Sequence, residues 1–379
     1  MREYFSDMPF ADLEARHHTL CMPRARYEPE SLRRELQRAT VFRAANVVQY
    51  DLFPLDQRWI YYEDSAKLLN ERRPDLWDNR EGNEFLVAVP QPRRVSESRP
   101  VLSTNLFDLH LYDRGAVGYP ADIRGKAHAA SLFAQEKKTP ETRANITDEI
   151  WDVLHRHWNL NSDLSSDDAK WVARRLFRLV LAICHAPQFE SDHADSLSQD
   201  WARVPIPSDR SLFERVAEAG NTVAVLLNSS ESPRNAVLQL LGDGARDLAV
   251  LRKKTAGPIR AEDLEVTVAH YGPANGGWRP TSDVSGDLYI NKTTYFQNVP
   301  SAVWEYELGG YPIIKKWLGY REAKRNDGQP LTINERDHVR GMVQRIAALL
   351  KLHPSLDSLY SEAAVAPISL SGDTEAVQD

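Results

Sequence analysis

Cysteine is nearly missing from this sequence: Cys21 and Cys184 are the two in 379 residues, far apart and in no metal-ligand spacing. That excludes a disulfide framework and a structural zinc site, and fits a reduced, cytoplasmic setting. No apolar run approaches the ~20 residues needed to cross a bilayer, so no membrane span is expected. The N-terminus, Met-Arg-Glu-Tyr-Phe-Ser-Asp, lacks the apolar stretch of a signal peptide. Positive charge is short as well. The chain holds 47 Lys and Arg against 54 Asp and Glu, a net charge of -7. An overall basic coat is thereby excluded, which counts against any nucleic-acid role. The charge is unevenly spread, however: residues 252–351 come out at about +4, enough for a local basic face.

Several catalytic engines are absent too. No Gly-x4-Gly-Lys-Ser/Thr phosphate loop occurs, so nucleotide binding of that kind is not expected. No Gly-rich methyl-donor loop occurs, nor an Asn/Asp/Ser-Pro-Pro-aromatic tetrapeptide to hold a flipped base. Asn298-Val299-Pro300-Ser301 echoes the latter poorly and reads as a turn, as does Gly242-Asp243-Gly244. Glu322-Ala323-Lys324 has the acidic-x-lysine spacing of some nucleases, but Mg²⁺ needs a further carboxylate in register. It reads as surface charge. His155-Arg156-His157 and His17-His18 lack a third ligand and read as surface histidines. No cofactor or metal is expected. Asp56 and Arg58 read as a carboxylate–guanidinium pair buried under aromatics, structural rather than catalytic.

What is present is an ordinary globular composition, 42% hydrophobic and 27% charged, with length enough for a large core. Residues 1–45 are charged with a helical pattern, and Arg33, Arg34 and Arg38 fall on one face of Ser31–Ala39 that reads as solvated. Val47–Glu63 is dense in aromatic and β-branched residues and predicts strands around a turn at Pro54. The alternation in Phe107–Tyr112 predicts another strand. Residues 113–147 read as a loop or hinge, which puts a subdomain boundary near 140. A helix capped by Ser165 should stop before Pro187, and Leu212–Leu227 predicts another. Leu264–Val268 and Leu288–Phe296 read as strands separated by a turn at Gly272–Gly277. Thr332-Ile-Asn-Glu335 is a capping box opening a long helix striped by Val339, Met342, Val343, Ile346, Leu349 and Leu350. The expected fold is mixed α/β: an aromatic-rich, β-containing portion over 1–140, a larger mixed portion over 141–360 closed by the long helix, and a disordered tail over 361–379.

Three blocks carry a resemblance. The first is Tyr50-Asp-Leu-Phe-Pro-Leu-Asp56-Gln-Arg58-Trp59-Ile-Tyr61-Tyr62. The second is Leu181-Ala-Ile-Cys-His-Ala-Pro187-Gln-Phe189, followed by Asp200-Trp-Ala-Arg203-Val-Pro205-Ile-Pro207 and by Phe213–Gly220. The third is Asn291-Lys292-Thr293-Thr-Tyr-Phe296, then Val303-Trp304-Glu-Tyr306-Glu-Leu-Gly309-Gly310-Tyr311-Pro312-Ile-Ile-Lys315-Lys316-Trp317-Leu318. In this order they resemble the C-terminal specificity region of type ISP restriction–modification enzymes, over about residues 1–360. The sequence departs from that pattern at Phe53 and Leu55, where the family shows arginine and phenylalanine, and at Leu227-Asn228 in place of Leu-His.

The resemblance implies a sequence-specific double-stranded DNA recognition module, with methyltransferase or restriction parts on a partner in trans. The alternative is a protein-interaction or scaffold subunit of a defence system that has lost DNA readout. Gly309-Gly310-Tyr311-Pro312 should turn into a short helix packed through Ile313, Ile314, Trp317 and Leu318. Lys315, Lys316 and Arg321 would then project from its other side toward phosphates, so that charge reversal at the two lysines weakens binding. Arg279, Asn291, Lys292 and Thr293 are candidate DNA contacts, since Asn pairs with adenine and Lys with guanine. Each is equally read as a solvated polar residue.

Overall fold

The charged N-terminal segment folds as α1 (Phe10–Arg16), α2 (His18–Cys21) and α3 (Pro29–Ala39). Pro29 opens α3, where its missing N–H lacks a helical partner in any case. Leu32 and Leu36 pack with Tyr4, Leu13 and Cys21 in a small core of their own. Arg33 is not on the solvated face. It is buried and donates to the carbonyls of Tyr4, Ser6 and Met8 at 2.6–2.8 Å, tying α3 to the first residues of the chain. The structure, a computed structural model, describes all residues except 24–26, 66, 70–71, 114, 125–141, 229–231, 269–276, 327 and 370–379.

The aromatic-rich stretch forms the expected hairpin, β1 (Val47–Phe53) against β2 (Asp56–Tyr61). Its turn passes through Pro54 and Leu55, the latter at φ 62°. Helix α4 (Pro74–Asn79) and strands β3 (Phe85–Ala88), β4 (Val101–Ser103), β5 (Leu106–Phe107), β6 (Val117–Pro120), β7 (Asp122–Arg124) and β8 (Thr142–Ala144) follow. β5 joins β1 in parallel, β3 lies between β4 and β6, and β7 pairs with β8. The strand expected over Phe107–Tyr112 ends at Phe107. There the Asp108 side chain accepts the His110 N–H at 2.7 Å and starts a 3-10 turn over Leu109–Leu111. Much of the expected hinge, 125–141, lies outside the described residues. The main core draws on both sides of it, from Phe53 to Ala363.

A helical layer follows: α5 (Asp148–His157), α6 (Asp167–Cys184), α7 (Pro187–Leu197), α8 (Arg210–Leu227) and α9 (Arg234–Leu241). The cap of α6 is Ser166 rather than Ser165; its hydroxyl accepts the Ala169 N–H at 3.2 Å. The helix stops at Cys184, and Pro187 opens α7. Gly220 lets α8 lie directly on α6, because a Cβ there would come within 1.7 Å of the Arg178 carbonyl oxygen.

The remaining strands, β9 (Val250–Lys253), β10 (Trp278–Pro280), β11 (Ser285–Tyr289) and β12 (Thr294–Pro300), make an antiparallel sheet in the order β10-β11-β12-β9. Two expectations change here. Leu288–Phe296 is not one strand; the chain reverses around Asn291–Thr293 and returns as β12. Leu264–Val268 is not a strand either: Ala261–Leu264 is 3-10, and Val266 makes a single bridge to Glu322. The turn read at 272–277 lies, apart from Gly277, outside the described residues.

Then come α10 (Ser301–Trp304), the short pair β13 (Glu307–Leu308) and β14 (Tyr311–Pro312), α11 (Ile313–Gly319) and α12 (Ile333–Val365). Gly309 and Gly310 turn the short pair at φ 64° and 80°, and a Cβ on Gly309 would meet the Tyr112 ring at 2.5 Å. Both halves of the Thr332–Glu335 capping box are formed. Of the expected stripe, Val339, Met342, Val343, Ile346 and Leu349 are buried and Leu350 is half-buried. α12 continues to Val365, past the point where the tail was expected to begin. No helix among the described residues is long and apolar enough to cross a membrane.

Candidate nucleic-acid interface

Strand alternation sets the chemistry of the β10-β11-β12-β9 sheet. Thr294 and Phe296 are buried on its inner face, so Tyr295 and Gln297 stand on the outer one; the irregularity at Asn298, φ 59°, returns Val299 to the interior. Tyr289 lies directly opposite Tyr295, and their rings stack at 4.8 Å with an interplanar angle of 25°. The Arg279 guanidinium sits 4.1 Å and the Lys254 ammonium 4.6 Å from the Tyr289 ring centroid. Arg252, in register with Tyr295, donates from Nε to Gln297 at 3.0 Å. Lys292 is exposed at the β11–β12 turn. Tyr289 is buried beneath these groups at 8% exposure, so the outer face presents exposed cations ordered over aromatic rings, a pairing suited to phosphates.

Held over a tyrosine ring, a cation loses rotamer freedom. Neither Arg279 nor Lys254 is in an ion pair among the described residues. Lys253, between Arg252 and Lys254, differs: it faces the other way and pairs with Asp263 at 2.6 Å, which with the Arg260 N–H holds that carboxyl below its usual range. β10 and β11 form a two-stranded ribbon whose tip, Thr281–Val284, is exposed, with Val284 72% exposed. The tip is ordered by Thr281 and Ser282 N–H bonds to the Ser285 carbonyl at 2.9 and 3.0 Å.

The expected contacts divide. Arg279 and Lys292 are on or beside this face. Asn291 is a turn clamp: Nδ2 donates to the Asp263 and Glu265 carbonyls at 2.7 and 3.0 Å. Its Oδ1 accepts from Thr293 N, Thr293 Oγ1 and Thr294 N. With both amide hydrogens and its oxygen engaged, it has nothing left to pair with adenine, and the Thr293 hydroxyl is engaged with it. Sequence reasoning missed Arg252, Lys254, Tyr289 and Tyr295. The signal was the Arg252-Lys253-Lys254 run, together with a turn at Asn291-Lys292-Thr293 that would have set the two tyrosines face to face.

Lys316 and Arg321 do not project toward phosphates. Lys316 is buried with its ammonium over the Tyr311 ring, and desolvation pulls its pKa down to about 8. Arg321 lies over the Trp317 ring at 3.4 Å and grips both Asp56 oxygens at 3.3 Å. Its Nε donates to Glu335 Oε1 at 3.0 Å. Arg58 takes the other side of Asp56 at 2.8 Å, so the pair expected in the first block is a three-membered bridge to the segment after α11. The reason is geometric: α11 ends at Gly319, and Arg321 turns back beneath it. Lys315 is half-buried, 5.0 Å from the Trp304 ring.

The other motif residues hold the scaffold. Trp304, Tyr311 and Trp317 are buried, with Pro312 leading into α11 and Ile313, Ile314 and Leu318 packed as expected. Pro205 precedes Ile206, whose carbonyl accepts the Ile368 N–H at 2.7 Å after α12. His185, in the second block, is fully enclosed and bonds the Pro100 carbonyl from Nε2 at 2.8 Å. Trp59 is the exception: it is 67% exposed on β2, on the same sheet face as the exposed Val47.

Residues 4–349 match the model of the Type ISP C-terminal specificity domain. No curated protein matches the sequence. Among solved structures, the chain resembles that of the cryoEM DrdV–DNA complex at a TM-score of 0.52 and 16% identity, covering 97% of this chain and 32% of that one. It resembles the ATP-dependent Type ISP restriction–modification enzyme LlaBIII bound to DNA at 0.51 and 14%, covering 95% and 21%. A nuclease-deletion mutant of the Type ISP enzyme LlaGI with a DNA substrate mimic matches at 0.50 and 13%, covering 88% and 26%. At these identities the likeness is one of fold, and the chain spans 21–32% of those longer chains. With the specificity-domain model matched over nearly its whole length, the chain belongs to the Type ISP C-terminal specificity domain family.

Proposed function

We propose that this chain recognises double-stranded DNA by sequence, as the specificity module of a restriction–modification system. The observation that carries the reading is the ordered cation–aromatic face built on the Tyr289–Tyr295 stack by Arg279, Lys254 and Arg252. The cations fix register on phosphates, and the β10–β11 ribbon presents its tip to a groove. A major groove about 12 Å wide admits a two-stranded ribbon, and Thr, Ser and an apolar side chain such as Val284 match base edges and the thymine methyl. The net charge of -7 is compatible because the binding charge is local. Methyl transfer and cleavage belong to a partner acting in trans. The exposed Trp59 and Val47 on the β1–β2 sheet supply an apolar surface for such a partner.

Fluorescence anisotropy with a labelled duplex between 50 and 200 mM salt tests the cation face. The expected result for Arg279→Gln with Lys254→Gln is weaker binding to every duplex and a log–log salt slope shallower by about 0.9 per lost phosphate contact. An unchanged slope removes this face from the reading.

A further inference from the structure

Where the 3-10 segment Gly242–Asp247 leads into β9, a cleft of about 610 Å³ opens between α9, that segment and α12. Arg234, Arg246, Arg340 and Arg345 line it, with Gln344 and Asp337. Not all of this charge is available. Arg345 donates to the carbonyls of Val225, Leu226 and Asn228 at 2.8–3.1 Å, closing the C-terminus of α8. Gln344 donates to the Ala245 carbonyl at 2.7 Å. Asp337, the acid of the cleft, pairs outside it with Arg336 at 2.9 Å. Arg246 meets Asp243 at 3.5 Å with both side chains well exposed, a contact that water largely screens.

Arg340 is the informative residue. One terminal nitrogen donates to the Arg246 carbonyl, which pins the guanidinium along the 3-10 segment. Its Nε is buried and has no partner among the described residues. A desolvated charged donor without an acceptor is unfavourable, and an anion entering the cleft relieves it. Arg234, exposed at the start of α9, and Arg246 flank that donor on the cleft wall. Planar guanidinium forks suit the oxygens of a phosphoryl group, and that of Arg340 is already held by the Arg246 carbonyl.

The 3-10 segment on one wall is tied to the sheet: Asn298 of β12 donates to the Asp247 carbonyl at 3.1 Å, and the Ala249 N–H bonds the Asn298 carbonyl. We propose that this cleft binds a phosphoryl group through Arg234, Arg246 and Arg340. On a duplex, that group is a backbone phosphate. The duplex assignment rests on the DNA reading above; phosphoryl binding does not.

The test is NMR of the full chain with ¹⁵N-labelled arginine, following the Arg340 Nε–H signal. Inorganic phosphate and a 20-base-pair duplex are titrated separately, and anisotropy reports duplex binding in parallel. The expected result is a saturable shift of Arg340 with either probe. Arg234→Gln with Arg246→Gln abolishes it, while the thermal midpoint is unchanged and Arg340→Lys retains duplex affinity better than Arg340→Gln. The double variant also lowers the salt slope by about 0.9 per phosphate lost. A shift with phosphate alone, in a protein whose duplex binding leaves Arg340 unmoved, keeps the phosphoryl site and overturns its duplex assignment. Phosphate binding without any duplex binding keeps the cleft and sinks the DNA reading. No shift with either probe, with or without duplex binding elsewhere, overturns the proposal.

Discussion

Arg321 closes on Asp56 across 265 positions of sequence, with NH1–Oδ2 and NH2–Oδ1 both at 3.3 Å. The contact joins the β1–β2 turn to the start of α12, because Arg321 also bonds Glu335, the acid of the capping box. Burial alone would raise the Glu335 carboxyl; the Thr332 and Arg321 bonds outweigh it and hold it below the usual range. Asp56→Ala leaves two guanidinium groups without their shared acceptor. Breaking a buried pair from one side costs about 3–5 kcal/mol, so urea unfolding should show a loss of that order. A loss below about 1 kcal/mol would show that water takes the carboxylate's place.

Lys316 gives a prediction of opposite sign to the one its sequence position suggests. Its ammonium is enclosed, so Lys316→Gln with Lys315→Gln should leave duplex affinity within about twofold, against ~0.9 in salt slope for a true phosphate contact. Its folded pKa of about 8 lies below the ordinary 10.5. Between those values the unfolded chain holds more protons, so stability is gained as pH rises through that window. The stability of Lys316→Met relative to wild type should therefore be highest below pH 8 and fall toward pH 10.5, read by urea unfolding at both ends.

The ribbon tip should behave differently from the cations around Tyr289. Thr281→Ala with Val284→Ala is expected to reduce discrimination between preferred and random duplexes, with each lost base contact worth about 1–3 kcal/mol. The salt slope should stay the same. A uniform loss for all duplexes would assign the tip to backbone contact instead.

His185 sets an acid limit. Enclosure pulls its pKa from 6.5 to about 3, despite the Pro100 carbonyl bond that favours the protonated ring. Below pH 6.5 the unfolded chain binds a proton that the folded one refuses, so stability falls by up to about 1.4 kcal/mol per pH unit until the folded pKa is reached. His185→Gln should flatten that limb. His353, lowered to about 4 by its own burial, leaves part of it in place. Parallel stability profiles of wild type and variant between pH 7 and 4 would contradict the assignment.

Local signals were legible where one residue type decides the backbone. The Thr332–Glu335 box, Pro187, the turn at Pro54 and the Gly309-Gly310 reversal all stand where their chemistry puts them. What failed depended on partners distant in sequence. Arg33 and Arg321 look solvated until the carbonyls of Tyr4–Met8 and the carboxylate of Asp56 are brought beside them. Asn291 looks like a base reader until the two carbonyls it clamps are in place. The Tyr289–Tyr295 face stayed hidden because one apolar run contained both strands of a hairpin. Periodicity alone does not reveal a reversal built on Asn-Lys-Thr.

Sequence-specific recognition is decided by selecting bound duplexes from a random pool at low salt. An enriched asymmetric motif is expected with the wild-type protein, and loss of that enrichment with binding retained for Thr281→Ala with Val284→Ala. Tight, salt-sensitive binding with no enriched sequence, or no binding at all, would contradict it.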